Sequence, residues 1–105
     1  MSGITTHVLD TSRGRPAVGV PVVLERAVDT HWETVGRGTT DSDGRARDLL
    51  TEAPEDGRYR LTFDTGACSR FYPEVTVTFV VEGGEEHYHV PLLLSPFGYS
   101  TYRGS

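Results

Sequence analysis

Apolar and polar positions alternate over short stretches of the chain, most sharply in His87-Tyr-His-Val-Pro-Leu-Leu-Leu94. Successive side chains of a strand point to opposite faces. Tyr88, Val90, Leu92 and Leu94 therefore form one face suited to a core, and His87, His89, Pro91 and Leu93 share the other. The same period sets Val8 against His7 and Leu9, and groups Ser100 with Tyr102. Read along the whole chain, it predicts strands over residues 4–10, 20–26, 31–39, 45–49, 58–64, 74–81, 87–94 and 98–102. The breaks at Arg13-Gly-Arg-Pro16, Ser42-Asp-Gly44, Glu55-Asp-Gly57, Glu82-Gly-Gly84 and Ser95-Pro96 carry turn chemistry. Residues 25–29 are too few for a helix, and 65–72 have room for one helical turn. The fold class is all-β, a sandwich or a barrel with at most one short helix.

Composition changes this picture mainly by exclusion. With 105 residues the expectation is a single domain spanning 1–105. A core this small loses much to a deep pocket, which favours a site shared between subunits. Fifteen acidic against ten basic residues give a formal charge of −5. No basic stripe is left to neutralise phosphates, so nucleic acid and anionic membrane are not expected as partners. No apolar run approaches the ~20 residues that cross a bilayer. The opening Met1-Ser-Gly-Ile-Thr-Thr6 does not read as a secretory signal, nor Arg103-Gly-Ser105 as a peroxisomal address. Cys68 is the sole cysteine, so the expected compartment is a reducing one, the cytosol.

Candidate chemistry gathers on the polar-plus-apolar faces. Two imidazoles running into Pro91 and Leu93 suit a pocket or an interface better than a solvated face or a core. Pro91 is the irregular member, since it cannot donate to a ladder and belongs at an edge or bulge. His87 and His89, with His7 on another strand, could also furnish three ligands for zinc. A serine hydrolase is not indicated, because no Gly-x-Ser-x-Gly elbow occurs. Trp32, Phe63, Phe79 and Tyr88 are expected in the core, His31 in solvent, and Cys68 as a small buried apolar group. Periodicity alone does not decide whether the faces of His7, His89 and Ser100 belong to one surface.

Thr6-His-Val-Leu-Asp-Thr-Ser-Arg-Gly-Arg-Pro-Ala17, Asp41-Ser-Asp-Gly-Arg45, Phe71-Tyr-Pro-Glu-Val-Thr-Val-Thr-Phe79 and the run from His87 to Tyr102-Arg-Gly-Ser105 resemble, in this order, the transthyretin-like 5-hydroxyisourate hydrolases. The terminal tetrapeptide is the feature that separates these hydrolases from the hormone-carrying transthyretins. The resemblance implies an eight-stranded sandwich of two four-stranded sheets. One sheet would hold the fourth, first, seventh and eighth strands in that order. It implies hydrolysis of 5-hydroxyisourate in urate degradation, with His7, Arg45 and His89 as catalytic residues. Ser100, Tyr102, Arg103, Ser105 and Pro91 would contact substrate or line the site. His87 would stand at the rim, and Arg47 is the alternative to Arg45. No cofactor and no metal are implied. The implied assembly is a homotetramer, a dimer of dimers with active sites at the dimer–dimer interface. The alternative functions are a thyroid-hormone-like carrier and a His-ligated metal site.

Overall fold

A computed structural model describes residues 3–104. Its strands are β1 (Gly3–Asp10), β2 (Arg15–Pro16), β3 (Pro21–Val28), β4 (His31–Thr39), β5 (Arg45–Leu50), β6 (Gly57–Asp64), β7 (Glu74–Val81), β8 (His87–Ser95) and β9 (Gly98–Thr101). They form two sheets, an all-β sandwich. One sheet runs β4-β3-β6-β7. The other runs β1-β8-β9, and the far edge of β1 is shared by β5, opposite Ile4 to His7, and β2, opposite Leu9 and Asp10. The expected order of fourth, first, seventh and eighth predicted strands is therefore observed as β5-β1-β8-β9. The two-residue β2 is additional. It follows from the turn after Asp10, whose carboxylate accepts hydrogen bonds from the Ser12 and Arg13 amides and the Ser12 hydroxyl.

The core lies between the sheets and is supplied by the apolar half of each alternation. Ile4, Val8, Leu92 and Leu94 meet Val22, Leu24, Leu61 and Phe63, all buried. Each such side chain contributes roughly 1.5–3 kcal/mol on leaving water. Residues 65–72 form a single turn, with the Cys68 and Ser69 amides bonded to the Thr65 carbonyl, and no helix occurs among the described residues. Trp32 departs from expectation. It is half-buried under the Arg60 guanidinium, 4.3 Å from its ring centre, because β4 is an edge strand that turns this face to solvent.

The sheets close on each other where β4 meets β5. The register of β3 with β4 shifts between Leu24 and Glu25, which leaves Val35 as an extra residue beside Gly36. At Gly36 a β-carbon would fall 1.7 Å from the Leu49 carbonyl oxygen, and at Gly38 one would fall 3.2 Å from the Leu49 side chain. Glycine here is a requirement of close backbone approach. Gly36→Ala is expected to cost about 2–3 kcal/mol in a urea titration, because backbone must move. A loss below 0.5 kcal/mol would mean the corner is not so tightly closed.

Candidate active site

The pairing of β1 with β8 is parallel, and its register ranks side chains across the sheet. Gly3 stands beside His87, Thr5 beside His89, His7 beside Pro91, and Leu9 beside Leu93. On the flanks, Arg45 of β5 pairs with His7, Gly104 bridges to His89, and Ser100 of β9 pairs with Leu93. One face therefore carries the ranks Thr5–His89–Gly104, Arg45–His7–Pro91 and Leu9–Leu93–Ser100. The opposite face of the same strands is core.

His7 is oriented by the turn before β5. Its Nε2 lies 2.9 Å from the Asp43 carbonyl oxygen. A carbonyl only accepts, so Nε2 carries a proton and a neutral His7 has its lone pair on Nδ1. The turn is built by Asp41, whose carboxylate accepts from the Asp43 and Arg45 amides at 2.8 and 3.0 Å. Those backbone hydrogen bonds, the one from Arg45 foremost, hold the Asp41 carboxyl below its ordinary range. Gly44 adopts φ +77°, and a β-carbon there would fall 2.5 Å from the Val8 carbonyl oxygen. Glycine therefore both permits the turn and brings Arg45 alongside His7.

His89 is half-buried, and its Nδ1 lies 2.8 Å from the Thr5 hydroxyl. The same hydroxyl lies 3.1 Å from Nε2 of His87. Burial pushes the His89 imidazolium down from its usual range, and the charges of Arg45, His7 and His87 add to the effect. His89 is therefore neutral near pH 7. A β-carbon on Gly104 would fall 2.6 Å from the His89 ring, so that glycine leaves room for the imidazole.

Pro91 explains how the chain reaches this point. Its carbonyl accepts from the Thr101 hydroxyl at 2.6 Å, so its backbone polar edge faces β9. The missing N–H would have faced β9 too, and the ladder breaks there. Pairing resumes only when the Gly104 amide donates to the His89 carbonyl at 2.8 Å.

Tyr102 and Arg103 fall in this break and leave the histidine face. They line a groove with Val77, Phe79, Tyr88 and Val90 at the margin between the sheets. The Arg103 guanidinium lies 4.3 Å over the Tyr88 ring and 3.8 Å from Glu85. The strict alternation expected over 98–102 thus stops at Thr101. Ser105 lies outside the described residues. Arg47 is spent elsewhere, 2.6 Å from Asp41 and 3.7 Å from Asp43. Thr5, the Asp43 carbonyl and Gly104 were not singled out from the sequence. The period that groups His7 with Leu9 also reaches Thr5, but a threonine in a strand gives no chemical signal of its own. Among the described residues no three His, Cys, Asp or Glu side chains gather as a ligand set for a metal, and a hydroxyl bridges His87 and His89 instead.

Comparison with known proteins adds four findings. A model of the HIUase/Transthyretin family matches residues 4–104. The 5-hydroxyisourate hydrolase of Salmonella dublin is 48% identical over 109 residues, covering 97% of this chain and 80% of that protein. Among solved structures, 5-hydroxyisourate hydrolase of Klebsiella pneumoniae superposes with TM-score 0.83 at 40% identity, covering all of both chains. Sea bream transthyretin in complex with thyroxine superposes with TM-score 0.87 at 33% identity, covering 96% of this chain and 93% of that one. The fold is thus shared by a hydrolase and by a transthyretin that binds thyroxine, and side chains must distinguish them.

The electrostatics of the face are directly measurable. In an NMR titration His89 is expected to have its midpoint below 6.5, the ordinary histidine value. Arg45→Gln removes a neighbouring positive charge and should raise that midpoint. Because folding depresses this group, its contribution to stability is present above about pH 6.5 and is lost as the pH falls. An unchanged or lower midpoint in Arg45→Gln would place the guanidinium away from His89.

Proposed function

The chain belongs to the HIUase/Transthyretin family, and on that premise we propose that it hydrolyses 5-hydroxyisourate in urate degradation, opening the ring to 2-oxo-4-hydroxy-4-carboxy-5-ureidoimidazoline. The observation that carries this reading is the convergence of His7, Arg45 and His89 on one face of the β5-β1-β8-β9 sheet. A carrier of an apolar hormone has no use for two imidazoles and a guanidinium in adjoining ranks, and their desolvation would only weaken its binding.

Ring opening adds water to a carbonyl, forming a C–O bond, and breaks a ring C–N bond. It needs a base for the water, a cation for the oxyanion and a proton for the leaving nitrogen. His7 is the base. Its Nε2–H is held by the Asp43 carbonyl, which leaves Nδ1 to take the water proton. Arg45 presents a planar fork of donors to the ureide oxygens and offsets the growing negative charge. His89, neutral and engaged at Nδ1, offers Nε2–H to the ring nitrogen that departs. Pro91 floors the site between His7 and β9, and Ser100 supplies a hydroxyl at its far end. Gly104 brings the chain back to His89, and Arg103 borders the His87 end of the site.

In one subunit this face is partly open to water. Packing of two such sheets face to face in a dimer of dimers would cover it, and Leu9 and Leu93, both half-buried in one subunit, provide apolar neighbours for that contact. We place the protein, as one domain, in the cytosol. Among the described residues no helix is long and apolar enough to cross a membrane.

His7→Ala, His89→Ala and Arg45→Ala should each lower kcat by roughly 10²–10⁴-fold while the protein stays folded. An assay on freshly generated hydroxyisourate checks this, and near-normal turnover in the two histidine variants would remove their roles. Sedimentation equilibrium should give four subunits per particle. A monomer with full activity would dismiss the shared site.

A further inference from the structure

A single hydroxyl stands between two imidazoles beside the reacting centre. Thr5 is 5% exposed, and its Oγ1 lies 2.8 Å from His89 Nδ1 and 3.1 Å from His87 Nε2. A hydroxyl has one proton, so these two contacts are complementary. When His87 Nε2–H donates to Thr5, the Thr5 O–H donates to His89 Nδ1 and leaves the His89 proton on Nε2. The imidazoles are otherwise too far apart to bond, with ring centres at 6.4 Å. His87 is half-buried and borders an open cleft with Glu85, Arg103 and Gly104.

We propose that Thr5 and His87 form a proton relay that supplies His89 from solvent, so that a neutral His89 serves as the acid of ring opening. This rests on the hydrolytic reading of the site. In the step, His89 Nε2 gives its proton to the ring nitrogen as the C–N bond breaks. Its Nδ1 receives the Thr5 hydroxyl proton, and Thr5 receives the proton of His87 Nε2. Protonated His87 becomes neutral. Once product leaves, water at the open face returns a proton to His89 Nε2, and the Nδ1 proton runs back through Thr5 to His87, which restores both rings. The water proton taken by His7 leaves separately, so atoms and charge balance over the turnover.

The relay answers a difficulty of the site. Arg45 from β5, His7 from β1 and His87 from its own strand all face His89, and together they oppose an imidazolium there. A proton exchanged between the two nitrogens of one ring passes through without leaving a charge behind. Glu85 and Arg103, paired with each other at 3.8 Å, are the charged groups at the His87 end. Thr5 and His87 are thus positioning residues that act through His89.

The test compares Thr5→Val, Thr5→Ser and His87→Ala on hydroxyisourate. Thr5→Val and His87→Ala should each lower kcat at least about tenfold with KM within about twofold, since one acid–base group typically carries 10²–10⁴-fold. Thr5→Ser should keep most of kcat, and added imidazole should restore the His87→Ala variant. The proton inventory should curve in the wild-type protein and become linear in Thr5→Val. A Thr5→Val kcat within twofold of wild type, an equal loss in Thr5→Ser, or no imidazole rescue would overturn the relay. If Thr5→Val does not fold, the rescue of His87→Ala decides. If the wild-type protein does not turn over hydroxyisourate at all, the functional reading fails. Ring ¹⁵N spectra still read the hydrogen-bonded chain: His89 should carry its proton on Nε2 in the wild type and become a tautomer mixture in Thr5→Val. An Nδ1 proton unaffected by that substitution would refute the chain itself.

Discussion

Parallel strands share no turn, so nothing local sets how β1 lies against β8. The register is imposed by what each strand buries. Ile4 and Val8 of β1 and Val90, Leu92 and Leu94 of β8 must all enter the same core. A slip by one residue would turn that set to solvent at a cost of about 2 kcal/mol for each large side chain, and would drive His87 and His89 inward. Three hydrogen bonds fix the alignment further. The Thr6 hydroxyl, 1% exposed, donates to the Val90 carbonyl at 2.5 Å, and the Thr11 amide and hydroxyl both donate to the Leu94 carbonyl. The ranks that set Thr5 beside His89 and His7 beside Pro91 are thus by-products of core packing. The placement of the two imidazoles is inherited from the hydrophobic face on the other side of the same strands.

Around this pair, small departures from regular structure do the fine positioning. Gly44 lets the Asp41 turn press its Asp43 carbonyl onto His7 and delivers Arg45 to the next rank. Pro91 interrupts the pairing with β9 and sends Tyr102 and Arg103 toward Tyr88, after which Gly104 comes back against the His89 ring. Each departure is a residue that cannot do what its neighbours do, either bear a side chain or donate a hydrogen bond.

The fold was legible because burial writes directly into alternation. The strand of His87 to Leu94 and the face carrying His7 could be read from period two. The β5-β1-β8-β9 order could not, since it depends on pairings between distant segments, and it came from resemblance. What escaped the sequence was of two kinds. Backbone events were invisible: the two-residue β2, the extra residue at Val35, and the ladder break that removes Tyr102 from the face predicted for it. Quiet side chains were invisible too. Thr5 matters because of what stands either side of it, and Arg47 differs from Arg45 only because Asp41 and Asp43 claim its charge.

The distance along the chain between β1 and its partner has a consequence for biogenesis. Thr5 and His89 are separated by 84 residues. During synthesis the first strand emerges long before the segment that must lie beside it, with Ile4 and Val8 still lacking their cover. Contacts of such long sequence separation are slow to close and leave sticky surface waiting meanwhile. Nascent chains therefore carry β1 without its neighbour for most of synthesis, and a truncated product lacking β8 leaves Ile4 and Val8 short of their cover.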